Sequence, residues 1–411
     1  MSTAGIRVTF AEAPAPVRAI LLGIFVNRLG AFLQAFLVLF LTHRGFTEVE
    51  AGVALGVYGA GSVAGVLAGG SLSDRLGART ATILSMTGSA ALLLAILYAG
   101  SYPALLVVTG LVGAVSQLYR PASSALLSEL TTKDRQVMIF AMYRLAMNLG
   151  TTAAPAIGAV LISVSYDLLF WTEAVAACGY AVIAAVALPR RTPFADAASV
   201  AGDAGEGSRG GYLALLGDRR YLLYLLAAFA NAAIYIQYVS TLPLAMRDAR
   251  HAIGWYGAMV SLNGFIVITC ELLVTRVVQR WPVKVVVAAG FALLGAGQAI
   301  YALPWGVAVF VVGTLVWTLA EIVGGPSVFA YPGMAAPPGL TGRYMGSMQA
   351  MFGLGTAIGP VAGVALYGAV GADAWWMFGL ACAVAMAAAW FGMRPPAPAP
   401  VPDGATTESR T

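Results

Sequence analysis

Charge is scarce in this chain. Only 10% of its 411 residues are charged and 60% are hydrophobic, whereas a soluble domain carries about 25% charged residues. A soluble protein this apolar would expose patches that aggregate. The composition therefore argues against a soluble α/β enzyme and for a polytopic membrane protein. Lysine is nearly absent, with Lys133 and Lys284 set against 21 arginines. Neither lysine lies in a Gly-x-x-x-x-Gly-Lys-Ser/Thr phosphate loop, since they sit in TTKDR and PVKVV. A nucleotide-driven pump is excluded on that ground. There are two histidines, His43 and His251, and no Gly-x-Ser-x-Gly or His-Glu-x-x-His stretch, so enzyme chemistry has no foothold. Cys178, Cys270 and Cys382 stand far apart inside apolar runs. They give neither metal-ligand spacing nor a disulfide framework, and no cofactor or metal is expected. No basic stripe is present, so nucleic acid is not an expected partner.

The abundant feature is the long apolar run. A helical span needs about 20 apolar residues, and in lipid only helices or closed barrels satisfy the backbone. The runs are uninterrupted rather than alternating, which predicts helices over 18–42, 50–72, 79–100, 103–127, 136–162 and 168–188, then 219–246, 254–276, 283–303, 305–331, 344–368 and 374–393. The first run is long enough to span, and no short apolar core with a cleavage site precedes it. Between the groups lies PRRTPFADAASVAGDAGEGSRGG, rich in Gly, Ala, Asp and Ser, which reads as a flexible linker. The Pro-rich stretch after Met393 reads as a disordered tail. The expected organisation is a bundle over 1–188, a cytoplasmic linker over 189–217, a second bundle over 218–393 and a tail over 394–411.

Basic residues orient the chain. With both termini in the cytoplasm, 17 of the 23 basic residues fall in cytoplasmic segments. Arg44, Arg247 and Arg250 fall outside, and Arg28, Arg120 and Arg144 fall within spans. This is the bias that the positive-inside rule requires. The expected location is the cytoplasmic (inner) membrane of a bacterium, as a monomer surrounded by lipid.

The two groups of spans also repeat each other. NLGTTAAPAIGAVL (Asn148–Leu161) aligns with GLGTAIGPVAGVAL (Gly353–Leu366), 353 − 148 = 205 residues later. The same offset lays Pro121 on Pro326, Gly52 on Gly257 and Gly59 on Gly264. An even number of spans per half makes the repeat parallel. That predicts two pseudo-symmetric six-helix bundles around a central cavity, an all-α integral membrane fold of twelve transmembrane helices.

Between the second and third spans stands GGSLSDRLGART. Gly70 allows close helix approach and Gly77 a tight reversal. Arg75 and Arg79 hold the turn on the cytoplasmic side. Asp74, at the lip of the membrane, is placed to pair with an arginine or face a helix N-terminus, and so to lock the halves in one arrangement. Gly70-x-x-x-Asp74-Arg75-x-Gly77-Ala78-Arg79 closely resembles the cytoplasmic signature of the major facilitator superfamily. In the fifth span Gly150-x-x-x-Ala154-Pro155-x-x-Gly158-Ala159 is similar to the motif of that superfamily's drug:proton antiporters. LYRPASSALLSEL (Leu118–Leu130) and WTLAEIVGGPSVFAY (Trp317–Tyr331) resemble the fourth and tenth spans of its multidrug exporters. The resemblance covers nearly the whole chain. It implies alternating access by rocking of the two halves, powered by protons.

Proton coupling needs a titratable group within the membrane, where a charge costs about 2.5–3.5 kcal/mol on insertion scales. Glu321, about fifteen residues into the tenth span and pseudo-symmetric with Ser116, is the leading candidate, followed by Glu271 and Glu173. Arg28, Arg120 and Arg144 should face the cavity, water or a partner. All four asparagines, Asn27, Asn148, Asn231 and Asn263, fall inside spans. With Gln34, Gln237, Tyr143, Tyr235, Tyr238 and Trp317 they are candidates to line a broad, mostly apolar pocket. The expected function is proton-coupled export of a small, largely apolar molecule such as a drug or secondary metabolite. The rivals are a proton-coupled or passive importer of a small nutrient and a non-transporting membrane receptor.

Overall fold

A computed structural model of the chain describes residues 6–190, 212–337 and 339–394. The described residues are all helical or connecting turns, with no strand among them. Among the described residues, eleven helices are long and apolar enough to cross a membrane by length and composition. A further span, the first, is split into Ala15–Leu29 and Leu33–His43. The second, third, fifth and sixth are Glu48–Leu76, Ala78–Leu97, Gln136–Ile162 and Asp167–Ala187. The eighth to twelfth are Ile253–Val278, Val283–Ile300, Val307–Ala335, Thr341–Val370 and Asp373–Gly392.

The fourth span consists of Tyr102–Gln117 and Tyr119–Glu129, the seventh of Arg219–Tyr235 and Gln237–Asp248. The expectation of uninterrupted helices is thus corrected at the first, fourth and seventh spans. A break inside lipid strands backbone groups that must find partners within the protein. Each break here is served by a polar side chain. At the first, the Glu173 carboxylate accepts the N–H groups of Phe32 (3.0 Å) and Leu33 (2.7 Å). At the fourth, the Ser85 hydroxyl donates to the Val115 carbonyl (2.6 Å) and accepts from the Tyr119 N–H (3.2 Å). At the seventh, the Gln237 amide donates to the carbonyls of Ala233 (2.7 Å) and Gly359 (2.8 Å). Hydropathy averaged over a whole span does not register these breaks, although polar residues such as Gln117 and Arg120 flank the one in the fourth.

Two further elements depart from the sequence reading. A short helix, Ile6–Glu12, precedes the first span, and the Glu12 carboxylate pairs with Arg135 at 2.6 Å. The end of the expected linker is also helical, over Tyr212–Gly217. Its Leu215 is buried against Tyr221 and Tyr224, which gives that turn a reason to order. Residues 191–211 and 395–411, which hold the rest of the expected linker and nearly all of the tail, lie outside the described residues.

The halves meet at the end that carries the turns between spans two and three, four and five, and ten and eleven. One apolar cluster there joins Leu126, Met138 and Tyr143 of the first half to Ala330 and Met345 of the second. Toward the opposite end, one cluster holds only first-half residues such as Phe32, Phe40 and Leu93, and another only second-half residues such as Leu242, Tyr301 and Trp375. Gly77 reverses the chain between spans two and three at φ 83°, a conformation that suits a residue without a Cβ.

Candidate functional site

Eight residues into the fifth span, Arg144 reaches across to the second half. Its Nε donates to Glu271 Oε1 at 2.5 Å and its Nη2 to Glu321 Oε1 at 3.1 Å. The guanidinium also lies over the Phe329 ring, 5.7 Å from its centroid. Glu271 is fully buried. Glu321 accepts a second hydrogen bond at Oε2 from the Asn263 amide (3.2 Å), which also donates to Thr318 Oγ1 (3.1 Å). An arginine between two carboxylates suits an interior where any unpaired charge is costly. It also joins three spans, because the fifth carries the cation and the eighth and tenth the anions. Close approach is possible because residue 325 is glycine, where a Cβ would meet the Arg144 guanidinium at 2.7 Å.

The cluster forms part of the wall of a cavity of about 210 Å³ between the halves. Of the expected cavity residues, Tyr143, Asn148, Asn231, Tyr235 and Trp317 line it, together with Arg120, Arg144 and Glu321. The apolar wall of Phe291, Val328, Phe329 and Phe352 was not anticipated. Those residues are indistinguishable in sequence from lipid-facing ones. The Tyr238 ring stacks on Trp317 with centroids 5.0 Å apart. Asn263 acts through its bonds to Glu321 and Thr318. Gln237 is withdrawn as a cavity residue, since its side chain is buried in the break of the seventh span.

Asn27, Gln34, Arg28 and Glu173 belong to a second, smaller pocket of about 30 Å³ within the first half, with Tyr58, Ser116 and Tyr119. The structure therefore separates the expected cavity charges into two groups. Arg120 and Arg144 face the large cavity, and Arg28 faces the small one. The proton-coupling candidates separate in the same way. Glu271 and Glu321 share Arg144, whereas Glu173 caps the second piece of the first span.

At the closed end, Asp74 meets the first turn of the eleventh span. It accepts the N–H groups of Gly342 (2.8 Å) and Arg343 (3.1 Å) and pairs with Arg343 Nη1 at 3.2 Å. Both side chains are 7% exposed, so solvent screens the pair weakly. Gly70 lies against Gly346, whose added Cβ would meet the Gly70 Cα at 3.2 Å. Arg79 donates to the Ala185 carbonyl at 2.5 Å, and Arg75 is exposed. Arg343, the partner across the interface, carries no signal in the sequence beyond its place at the start of a span.

The fifth-span motif packs that helix against the first span. A Cβ at Gly150 would meet the backbone of Arg28 and Leu29, and one at Gly158 the ring of Phe36. Ala154 is buried, and the Pro155 side chain lies outside the described residues.

A model of the Major Facilitator Superfamily matches residues 20–348 and 245–410. The MFS-type transporter YqjV of Bacillus subtilis (strain 168) is 25% identical over 361 residues, covering 85% of this chain and 86% of the relative. A Na(+), Li(+), K(+)/H(+) antiporter of Planococcus maritimus is 24% identical over 387 residues, covering 86% and 88%. Among solved structures, the fucose:proton symporter FucP of E. coli superposes with a TM-score of 0.71 at 15% identity, over 92% of this chain and 98% of that one.

Proposed function

From the premise that this chain belongs to the Major Facilitator Superfamily, we propose that it is a proton-coupled secondary transporter that exports a small, largely apolar molecule across the bacterial inner membrane. Both termini lie in the cytoplasm in this reading, as the distribution of basic residues requires. The sealed end is then the cytoplasmic one, and the arrangement is outward-facing.

The observation that carries the proposal is Arg144 of one half held by Glu271 and Glu321 of the other at the wall of the central cavity. A proton taken up by Glu321 cancels one of the two charges that bind Arg144. The tie between halves weakens and the carrier is freed to turn inward. Release of the proton to the cytoplasm restores the negative charge. Substrate then enters the cavity, where aromatic and aliphatic side chains hold it, and the carrier turns outward again. Each 100 mV of membrane potential supplies about 2.3 kcal/mol per charge moved, about a fifty-fold gradient, so one proton per cycle sustains useful export. The relative from Planococcus maritimus is a cation/H(+) antiporter and the fucose carrier a proton symporter, which supports proton coupling. The mostly apolar lining, and the resemblance of the fourth, fifth and tenth spans to drug exporters, support export of an apolar molecule.

The test uses the purified chain in proteoliposomes with N-phenylnaphthylamine as the probe. An imposed pH gradient should drive probe movement, and Glu321→Gln should abolish the dependence on the gradient. Unchanged coupling in Glu321→Gln would remove Glu321 from the mechanism.

A further inference from the structure

Two arginines, Arg120 and Arg144, stand at the central cavity, and the two acids of the cluster are not shared evenly between them. Arg144 takes both carboxylates, through Nε and Nη2. Arg120, which lines the same cavity, has no carboxylate within ion-pair distance among the described residues. Its Nη1 makes one long hydrogen bond, 3.3 Å to Gln117 Oε1, and its Nε is buried without an acceptor. A guanidinium has five N–H donors in a fork that matches a planar anion. Here most of that capacity is unused in a cavity where Glu321, the one acid among the described lining residues, already accepts from Arg144 and Asn263.

The first half brings both cavity arginines, Arg120 and Arg144, whereas the second brings Asn231 and Glu321 together with the apolar group Phe291, Phe329 and Phe352. Arg120 is held in place by its position, one residue after the start of the lower segment of the fourth span and directly before Pro121. The break above it is fixed by Ser85.

We infer that Arg120 docks an acidic group of the transported molecule, so that the substrate is an amphipathic organic anion. Its carboxylate-type head meets Arg120 and its apolar body packs on Phe291, Phe329 and Phe352. The inference rests on the cavity being the transport site and adds the chemical class of the cargo. An anion also moves outward with the potential of a negative cell interior, so export of such a molecule draws on the same field as the proton.

The experiment is calorimetric titration of the purified full-length chain in detergent micelles with three probes of one shape: naphthoate, naphthamide and naphthylmethylammonium. Naphthoate should bind at least about ten-fold more tightly than the other two, the worth of one charge-assisted bidentate contact. Arg120→Gln should erase that preference by weakening naphthoate far more than naphthamide, whose continued binding shows that the cavity is intact. Arg120→Lys should retain part of the preference. The inference is overturned if naphthoate gives no measurable binding, if either other probe matches it within about two-fold, or if Arg120→Gln keeps the preference. Proton-driven movement of N-phenylnaphthylamine reports on the transport reading separately. If that movement persists without any preference for the acid, only the cargo class falls. If the acid preference is present and the movement is absent, the proton-coupled transport reading fails.

Discussion

Removing Arg144 tests whether the charges at the centre of this molecule act as one unit. Arg144→Met keeps much of the side-chain volume and strands two carboxylates. Glu271 loses its hydrogen-bond donor while fully buried, and its Oε2 already lacks a partner. Glu321 is 11% exposed and keeps its bond from Asn263, so Glu271 dominates the loss. Taking one partner from a buried pair costs about 3–5 kcal/mol. At about 1.4 kcal/mol per factor of ten, the unfolding equilibrium should shift by roughly a hundred-fold to a few thousand-fold. The triple variant Arg144→Met, Glu271→Gln, Glu321→Gln removes every charge of the cluster. A buried ionic triad replaced by neutral side chains of similar volume is often close to neutral in stability, so the triple variant should recover most of the loss. Reversible denaturant titration of the purified proteins in detergent micelles, followed by far-ultraviolet circular dichroism, reads both quantities. The reasoning is refuted if Arg144→Met lies within about 1 kcal/mol of the unaltered chain, or if the triple variant is less stable than the single one.

Two other perturbations act away from this cluster. Asp74→Asn removes the negative charge that faces the start of the eleventh span and Arg343. A charge at a helix N-terminus in a partly buried setting is worth up to about 2 kcal/mol, a factor of about 5–30 in a two-state population. A cysteine introduced at Ser124, which bonds Gln349 across the sealed interface at 3.2 Å, should therefore react faster with a thiol reagent in the Asp74→Asn background, and equal rates would contradict the lock. Gln237→Leu leaves the carbonyls of Ala233 and Gly359 without their side-chain donor. At about 1–3 kcal/mol for a buried polar group left unsatisfied, this variant should lower the denaturation midpoint while leaving probe affinity in the cavity close to that of the unaltered chain. A large loss of affinity with unchanged stability would instead return Gln237 to the cavity.

The spans were legible because length and apolarity are properties of consecutive residues. The fifth, for example, is expected over 136–162 and found over Gln136–Ile162. Gly77 could be read as a reversal because its role depends on local backbone conformation, and it adopts φ 83°. The break in the fourth span was not read from the sequence: Pro121 lacks an N–H for the turn before it, but Pro326, Pro332 and Pro360 stand inside continuous helices. The breaks at Ala31 and Ile236 had no such signal, because the groups that serve them, Glu173 and Gln237, look in sequence like any other polar residue in an apolar run.

The sequence by itself determined that this chain is a parallel repeat of membrane helices, and that its few intramembrane charges must be accounted for. Hydropathy and internal similarity act over tens of residues and need no knowledge of packing. Only the tertiary structure decided which charges meet. Arg144 lies 127 residues from Glu271 and 177 from Glu321, and no local pattern links positions so far apart. Which faces of the fifth, eighth and tenth helices turn toward one another depends on helix rotation and on glycines such as Gly325 that let a guanidinium approach. The same packing commits Arg144 to both acids and leaves Arg120 facing the cavity with a single hydrogen bond, to Gln117.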